Sequence, residues 1–291
     1  MQHKSGFVNI IGNPNVGKST LLNALLGENL SIISSKAQTT RHRIIGLANA
    51  ENYQIVFSDT PGMLQPVYKM QEAMLKFAKS ALVDADVLLF VTDIFETELP
   101  SEDVMERINS SDTPLIVVVN KIDAKDIVMA AARVEAIKHS MPRATFFPVS
   151  ALYKTNTIPL FEAILELLPE NPPYYPKDEI TDRPMKFFVS EIIREKILKN
   201  YDKEIPYSCE VVVDTYIEKP HIDEIRAIII VERESQKGII IGHQGGKLKR
   251  VGTHAREDIE AMTGKKVFLE MHVKVDENWR NDPKKLKKYG Y

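Results

Sequence analysis

Short runs of β-branched and aromatic residues recur along the first half of the chain, separated by longer stretches in which apolar residues return every three or four positions. The runs predict strands at Phe7–Ile11, Ile44–Ala48, Tyr53–Ser58, Asp86–Thr92, Leu115–Asn120 and Thr145–Pro148. The longer stretches predict helices at Ser19–Leu26, Met70–Val83, Ser101–Ile108, Ile127–Lys138 and Ile158–Leu168. Strands that are apolar on both faces and alternate with helices specify an α/β fold, a mostly parallel sheet with helices on both faces. The second half has another rhythm. A helix at Met185–Leu198 precedes two long strands, Tyr207–Glu218 and Glu224–Glu234. A short helical stretch ending in Gly242, a helix from Lys247 to about Met262 and a strand at Lys266–Val275 follow. This αββααβ order predicts a smaller α+β module on a three-stranded sheet.

Between the halves, five of the sixteen prolines fall within Pro169–Pro184. Proline removes a backbone donor and fixes φ, so this stretch reads as an extended linker. The expected domains are therefore 1–168, a linker at 169–184, and 185–291 with a basic tail.

Composition narrows the class. With 44% hydrophobic and 27% charged residues among 291, the chain is an ordinary globular protein and not a disordered one. Its longest apolar runs, Val87–Val91 and Leu115–Val119, have strand length, far short of the roughly 20 residues that span a bilayer. The N-terminus leads straight into a strand, with no signal-peptide pattern. One cysteine, Cys209, excludes an intrachain disulfide and a cysteine zinc site and fits a reducing, cytosolic compartment. The net charge of −2 divides into −6 for residues 1–182 and +4 for 183–291, which suggests different partners for the halves.

Gly12-Asn13-Pro14-Asn15-Val16-Gly17-Lys18-Ser19 fits G-x-x-x-x-G-K-[ST] and lies between a strand and a helix, where a phosphate loop works. Backbone N–H groups and the helix N-terminus would face the phosphates, Lys18 would reach the β- and γ-phosphates, and Ser19 would ligate Mg²⁺. Asn120-Lys121-Ile122-Asp123 follows an apolar strand and selects the base. The Asp123 carboxylate can accept from guanine N1–H and N2–H₂, whereas adenine offers it an acceptor. Asn120 would read the opposite edge and the Lys121 stem would lie over the ring. Asp59-Thr60-Pro61-Gly62 could hold Mg²⁺ through water at Asp59 and contact the γ-phosphate through Gly62, or it could be a plain turn. Gln38-Thr39-Thr40-Arg41-His42 lies in a polar segment with few packing residues, which reads as an exposed loop or as a switch. Ser150-Ala151-Leu152 could supply a backbone N–H to the guanine oxygen. In the second half, Gly242-His243-Gln244-Gly245 is followed by Lys247, Lys249 and Arg250. A G-x-x-G turn lets single-stranded backbone approach, with nearby cations holding the phosphates. The tail lysines, Lys284, Lys285, Lys287 and Lys288, could be a solvated end or a phosphate contact, and Trp279 reads as a packing residue.

These segments, in this order, resemble the translation-factor-type GTPases. With Ser190–Lys196, Val231–Glu234 and Ile240–Gly245 they resemble the Era family of bacterial GTPases over nearly the whole chain. That resemblance implies a GTPase domain joined to a type II KH domain and makes Thr40 the Mg²⁺-side switch residue. It further implies a slow GTPase that binds GTP and GDP, the 3′ end of 16S rRNA and the 30S subunit during assembly. Some peripheral association with the inner membrane face is implied as well, and a monomer is expected. Two departures stand out. Met63 occupies the place where Ras-type enzymes carry a water-orienting glutamine. His243 and Gln244 replace the lysine that many members carry inside the turn. Some relatives with an asparagine at the position of Asn15 use K⁺ as a surrogate charge, so Asn15 is a potassium candidate or else a loop-capping amide. The alternatives are a GTP-gated RNA chaperone or scaffold whose hydrolysis is incidental, and a P-loop ATPase or small-molecule kinase, which Asp123 and the missing substrate domain disfavour.

Overall fold

In the computed structural model, which describes residues 3–124 and 127–291, the chain divides into two compact units. One comprises Met1–Val67 and Gln71–Asp182, the other Tyr68–Met70 and Arg183–Tyr291.

The first unit is built on six strands, β1 (Lys4–Ile11), β2 (Ile44–Ala50), β3 (Tyr53–Asp59), β4 (Val87–Asp93), β5 (Leu115–Asn120) and β6 (Thr145–Pro148). They stand in the order β2-β3-β1-β4-β5-β6, and only β2 runs antiparallel to its neighbour. Alternate side chains of each strand enter opposite cores. On β4, Val87, Leu89 and Val91 join the cluster that includes Leu21 and Leu22 of α1 (Lys18–Leu26). Leu88 and Phe90 join the one holding Ala78 of α2 (Lys69–Ser80) and Val104 and Ile108 of α3 (Glu102–Ser110). Ile137 of α4 (Ile127–Lys138) is in this second cluster, and Leu160 and Ile164 of α5 (Thr157–Leu167) are in the first. The two-sided apolar pattern thus becomes a sandwiched sheet. Strands β3 and β4 flank β1, so chain order reverses there and a crevice opens at the carboxyl ends.

The proline-rich stretch forms neither helix nor strand, but bends and a turn at Lys177 and Asp178 interrupt it, and it is not a free tether. Ser5 N–H donates to Pro169 O at 3.1 Å, Leu47 N–H to Ile180 O at 2.9 Å, and the Gln54 side chain pairs with Tyr174 and Tyr175. Proline lacks a donor but keeps its carbonyl, and the residues between the prolines supply the rest.

The second unit contains α6 (Met185–Asn200), α7 (Ile205–Ser208), β7 (Glu210–Ile217), β8 (Ile222–Val231), α8 (Glu234–Ile241), α9 (Gly246–Thr263), β9 (Lys266–Val275) and α10 (Pro283–Lys288). β8 pairs antiparallel with β7 and parallel with β9. Ile225, Ala227, Ile229 and Val231 of β8 share one core with Val189, Ile193 and Ile197 of α6 and Val251, Ala255 and Ile259 of α9. The αββααβ order stands, with α7 and α10 added. In the tail, Asp282 caps α10 by accepting from the backbone N–H groups of Lys284 and Lys285. Trp279 is fully buried and donates to Ser208 O, so it packs. No helix among the described residues is long and apolar enough to cross a membrane.

Candidate functional site

The crevice is a cleft of about 440 Å³ that brings the front-half motifs to one place, running from Lys18 and Ser19 past Thr40 to Asn120, Lys121, Asp123 and Leu152. The loop after β1 turns through Gly17, whose φ of +95° and close approach to Asn120 Nδ2 leave no room for a Cβ. No side chain caps the N-terminus of α1, so its first backbone N–H groups are available to an anion. Inside the loop, Lys18 Nζ donates to Gly12 O at 3.1 Å and to Asn13 O at 2.7 Å. Burial pulls the Lys18 amine down to about 8, against the opposing pull of Asp59 and Glu96.

Three oxygens converge beside it. Ser19 Oγ lies 2.8 Å from Thr40 Oγ1 and donates to Asp59 Oδ2 at 2.6 Å, and Thr40 Oγ1 lies 3.4 Å from the same oxygen. Asp59 is fully buried, its carboxyl is raised chiefly by burial, and its Oδ1 is a buried acceptor with no hydrogen-bond partner among the described residues. An orphaned carboxylate oxygen among hydroxyls fits a hard divalent cation. Thr60 is spent on the fold, donating to Ile10 O at 2.8 Å, and Pro61 carries the chain on to Gly62, which abuts Pro14.

At the other end, Asn120 is 2% exposed and ties two loops together. Its Nδ2 donates to Val16 O at 2.9 Å and its Oδ1 accepts the Ala151 N–H at 3.0 Å. Lys121 Nζ donates to Asn15 O at 2.7 Å and pairs with Asp93 at 2.5 Å. Asp123 is exposed toward the cleft and accepts from Ser150 Oγ at 2.5 Å, while Leu152 forms part of the wall.

The segment holding Gln38–His42 departs from the exposed-loop expectation. Thr40 and Arg41 are buried, and the His42 ring packs at 6.2 Å from that of Phe77. Arg43 anchors its exit, donating to Ser58 Oγ at 2.6 Å, Asn9 Oδ1 at 3.1 Å and both oxygens of Asp84. Met63 is 7% exposed, belongs to the core and donates its N–H to Gly12 O at 3.1 Å.

The second unit carries its own concavity. The turn Gly242–Gly245 passes through φ values of +70°, +50° and +75° at Gly242, Gln244 and Gly245, and presents His243 and Gln244 outward. Lys247, Lys249 and Arg250 are exposed beside it, and the Lys247 ammonium lies 5.9 Å over the Tyr201 ring. A groove of about 370 Å³ runs from Gly245 and Lys249 along Gly252, Thr253 and Arg256 to Leu269 and Met271 of β9. Sequence reading missed this second wall. Lys249, Thr253 and Arg256 share a helix face by spacing, but β9 joins them only through the sheet.

The 50S ribosome-binding GTPase family matches residues 7–121, and the KH domain family matches residues 204–280. Full-length relatives include GTPase Era of Alkaliphilus metalliredigens (strain QYMF), 44% identical over 100% of both chains. The chain belongs to the Era GTPase family. GTPase Era of Staphylococcus haemolyticus (strain JCSC1435) is also 44% identical, over 100% of this chain and 98% of its own. Among solved structures, Era in complex with MgGDPNP and nucleotides 1506–1542 of 16S ribosomal RNA superimposes with a TM-score of 0.94 at 40% identity over 99% of each chain. A single-residue variant of Aquifex aeolicus Era bound to GDP·AlF₄⁻ has the same score, identity and coverage. This Era-family chain is therefore a GTPase, hydrolysing GTP to GDP and phosphate, with a P-loop GTPase fold followed by a smaller KH domain.

Proposed function

We propose that the chain is a GTP-operated RNA-binding switch that binds the 3′ end of 16S rRNA and acts in assembly of the 30S subunit. The observation that carries this reading is the full-length likeness, at a TM-score of 0.94, to Era bound to MgGDPNP and 16S rRNA nucleotides. In this reading Gly12–Ser19 cradle the phosphates, and Lys18 leaves its loop carbonyls in part to meet the β- and γ-oxygens. Ser19, Thr40 and, through water, Asp59 hold Mg²⁺. When bound, that ion neutralises charge between the β- and γ-phosphates. Thr40 lies between the buried Arg41 and the anchored Arg43 on one side and the loop on the other, so its segment responds to the γ-phosphate. Asp123 accepts from guanine N1–H and N2–H₂. The second Nδ2 hydrogen of Asn120 remains for the base. Asn15 is exposed, and its amide has no partner among the described residues, which suits a K⁺ ligand. Gly242–Gly245 with Lys247, Lys249 and Arg250 admit the RNA backbone, and the groove to Met271 takes bases. The setting we propose is the cytoplasm and the state a monomer. Peripheral binding to the inner membrane face, implied by resemblance, is testable by vesicle sedimentation.

The test is GTP turnover with and without a short single-stranded RNA from the 16S 3′ end, in KCl and in NaCl. Asp123→Ala and the double variant Gly242→Asp/Gly245→Asp serve as controls. Stimulation that the double variant loses supports one coupled switch. Turnover indifferent to RNA, with RNA binding indifferent to nucleotide, overturns it. The second reading, a GTP-gated scaffold with incidental hydrolysis, draws on Met63, which is buried and holds no water-orienting group. RNA release from GDPNP-bound protein as fast as from GTP-bound protein would favour it.

A further inference from the structure

The turn after β4 lies outside the five nucleotide motifs, yet it grips the phosphate loop. Asp93 Oδ1 accepts the N–H groups of Phe95 and Glu96, at 2.9 Å each, and so orients Glu96. Glu96 Oε1 accepts from Asn13 Nδ2 at 2.6 Å, and Oε2 accepts from the Thr92 hydroxyl at 2.5 Å. Asn13 Nδ2 also reaches Glu98 O at 3.4 Å. From α4, Arg133 donates to Thr92 Oγ1 at 2.9 Å and stands 3.5 Å from Glu96 Oε2. The side chains of Glu96 and Arg133 are 11% and 10% exposed, so the pair is largely out of water.

The placing of this carboxylate calls for an explanation. A buried acid close to a site for phosphates repels the ligand. The donors explain the choice. Arg133 donates to the Thr92 oxygen, so the Thr92 proton goes to Glu96, Asn13 directs an N–H there as well, and the Arg133 charge stands 3.5 Å away. Only a group that accepts at both oxygens satisfies them all. Asn13 is the residue whose carbonyl receives the Lys18 ammonium at 2.7 Å. It is therefore held by its side chain from the β4 turn and by its main chain from Lys18.

We propose that Glu96 is a positioning residue for nucleotide binding, fixing Asn13 and, through the Asn13 carbonyl, the pose of Lys18. The inference rests on reading Gly12–Ser19 as the phosphate site. The measurement is affinity and dissociation rate of a fluorescent GDP analogue on the full chain, alongside the thermal midpoint. Glu96→Ala weakens binding about tenfold, mainly through faster dissociation, as does Asn13→Ala. The double variant is no weaker than either single one, because each removes the same contact. Glu96→Gln keeps one acceptor for Asn13 and regains most of the affinity, while losing thermal stability because an amide nitrogen then faces Thr92 and Arg133. Unchanged affinity in Glu96→Ala, losses that multiply in the double variant, or affinity that merely follows the midpoint across the variants would each overturn the proposal. Lys18→Ala separates the two readings, since binding that survives it shows that the phosphate-site assignment is at fault and not the role of Glu96.

Discussion

Asn120 carries a prediction that the structure makes quantitative. Its side chain is buried and satisfies Val16 O and the Ala151 N–H, groups belonging to the phosphate loop and to the turn after β6. Asn120→Ala removes both hydrogen bonds and strands both backbone groups. Each stranded group costs about 1–3 kcal/mol, and the amide borders the cleft, so water can enter and hold the cost to the lower end. The expected loss is about 2 kcal/mol. For a unit of this size about 2–4 °C accompanies each kcal/mol, so the midpoint of the first unit falls by roughly 4–8 °C. Two units need not melt together, so the transition is assigned by its rise with added GDP. The assay is thermal unfolding of nucleotide-free protein followed by calorimetry. A midpoint unchanged within about 1 °C, with nucleotide affinity lost, would refute the reasoning. Asn120 would then act on the base alone and its two backbone contacts would be energetically idle.

Three further outcomes are expected. Met63→Gln does not restore a Ras-like rate: turnover changes less than about twofold, and stability falls by about 1–3 kcal/mol because a buried amide replaces a core side chain. In nucleotide-free protein with EDTA, Lys18 loses its proton near 8 when folded but near 10.5 when unfolded. The unfolded chain therefore holds the extra proton between those values, and stability rises with pH across that window by about 3 kcal/mol. Urea unfolding at both ends of the window, compared with Lys18→Met, isolates this rise, and an equal rise in the variant would refute it. Gly252→Leu fills the groove against Met271, whose Cε would lie 2.7 Å from even a Cβ at that position. RNA affinity falls about tenfold while basal GTP turnover holds, as a filter-binding titration and a phosphate-release assay would show.

The amino-acid sequence by itself determined the sheet-and-helix rhythm, the order of the nucleotide motifs and the αββααβ module. These depend on local periodicity and on residue types whose chemistry is legible one at a time. Strand β5 (Leu115–Asn120) and helix α4 (Ile127–Lys138) have the bounds that their patterns predict. The short helices α7 and α10 were not legible, because four to six residues carry too little periodicity to register. Tertiary structure alone decided the rest. It buried Arg41 in a segment whose polar composition suggested solvent, and it turned the proline stretch into a strap along β2 through carbonyls that composition cannot place. It also set Glu96 against Asn13, 83 residues apart in sequence, and β9 against α9 to close the groove. The reason is physical: a side chain's intrinsic chemistry is written at its own position. Its burial, its partners and the charge they share depend on which distant strands the sheet brings side by side.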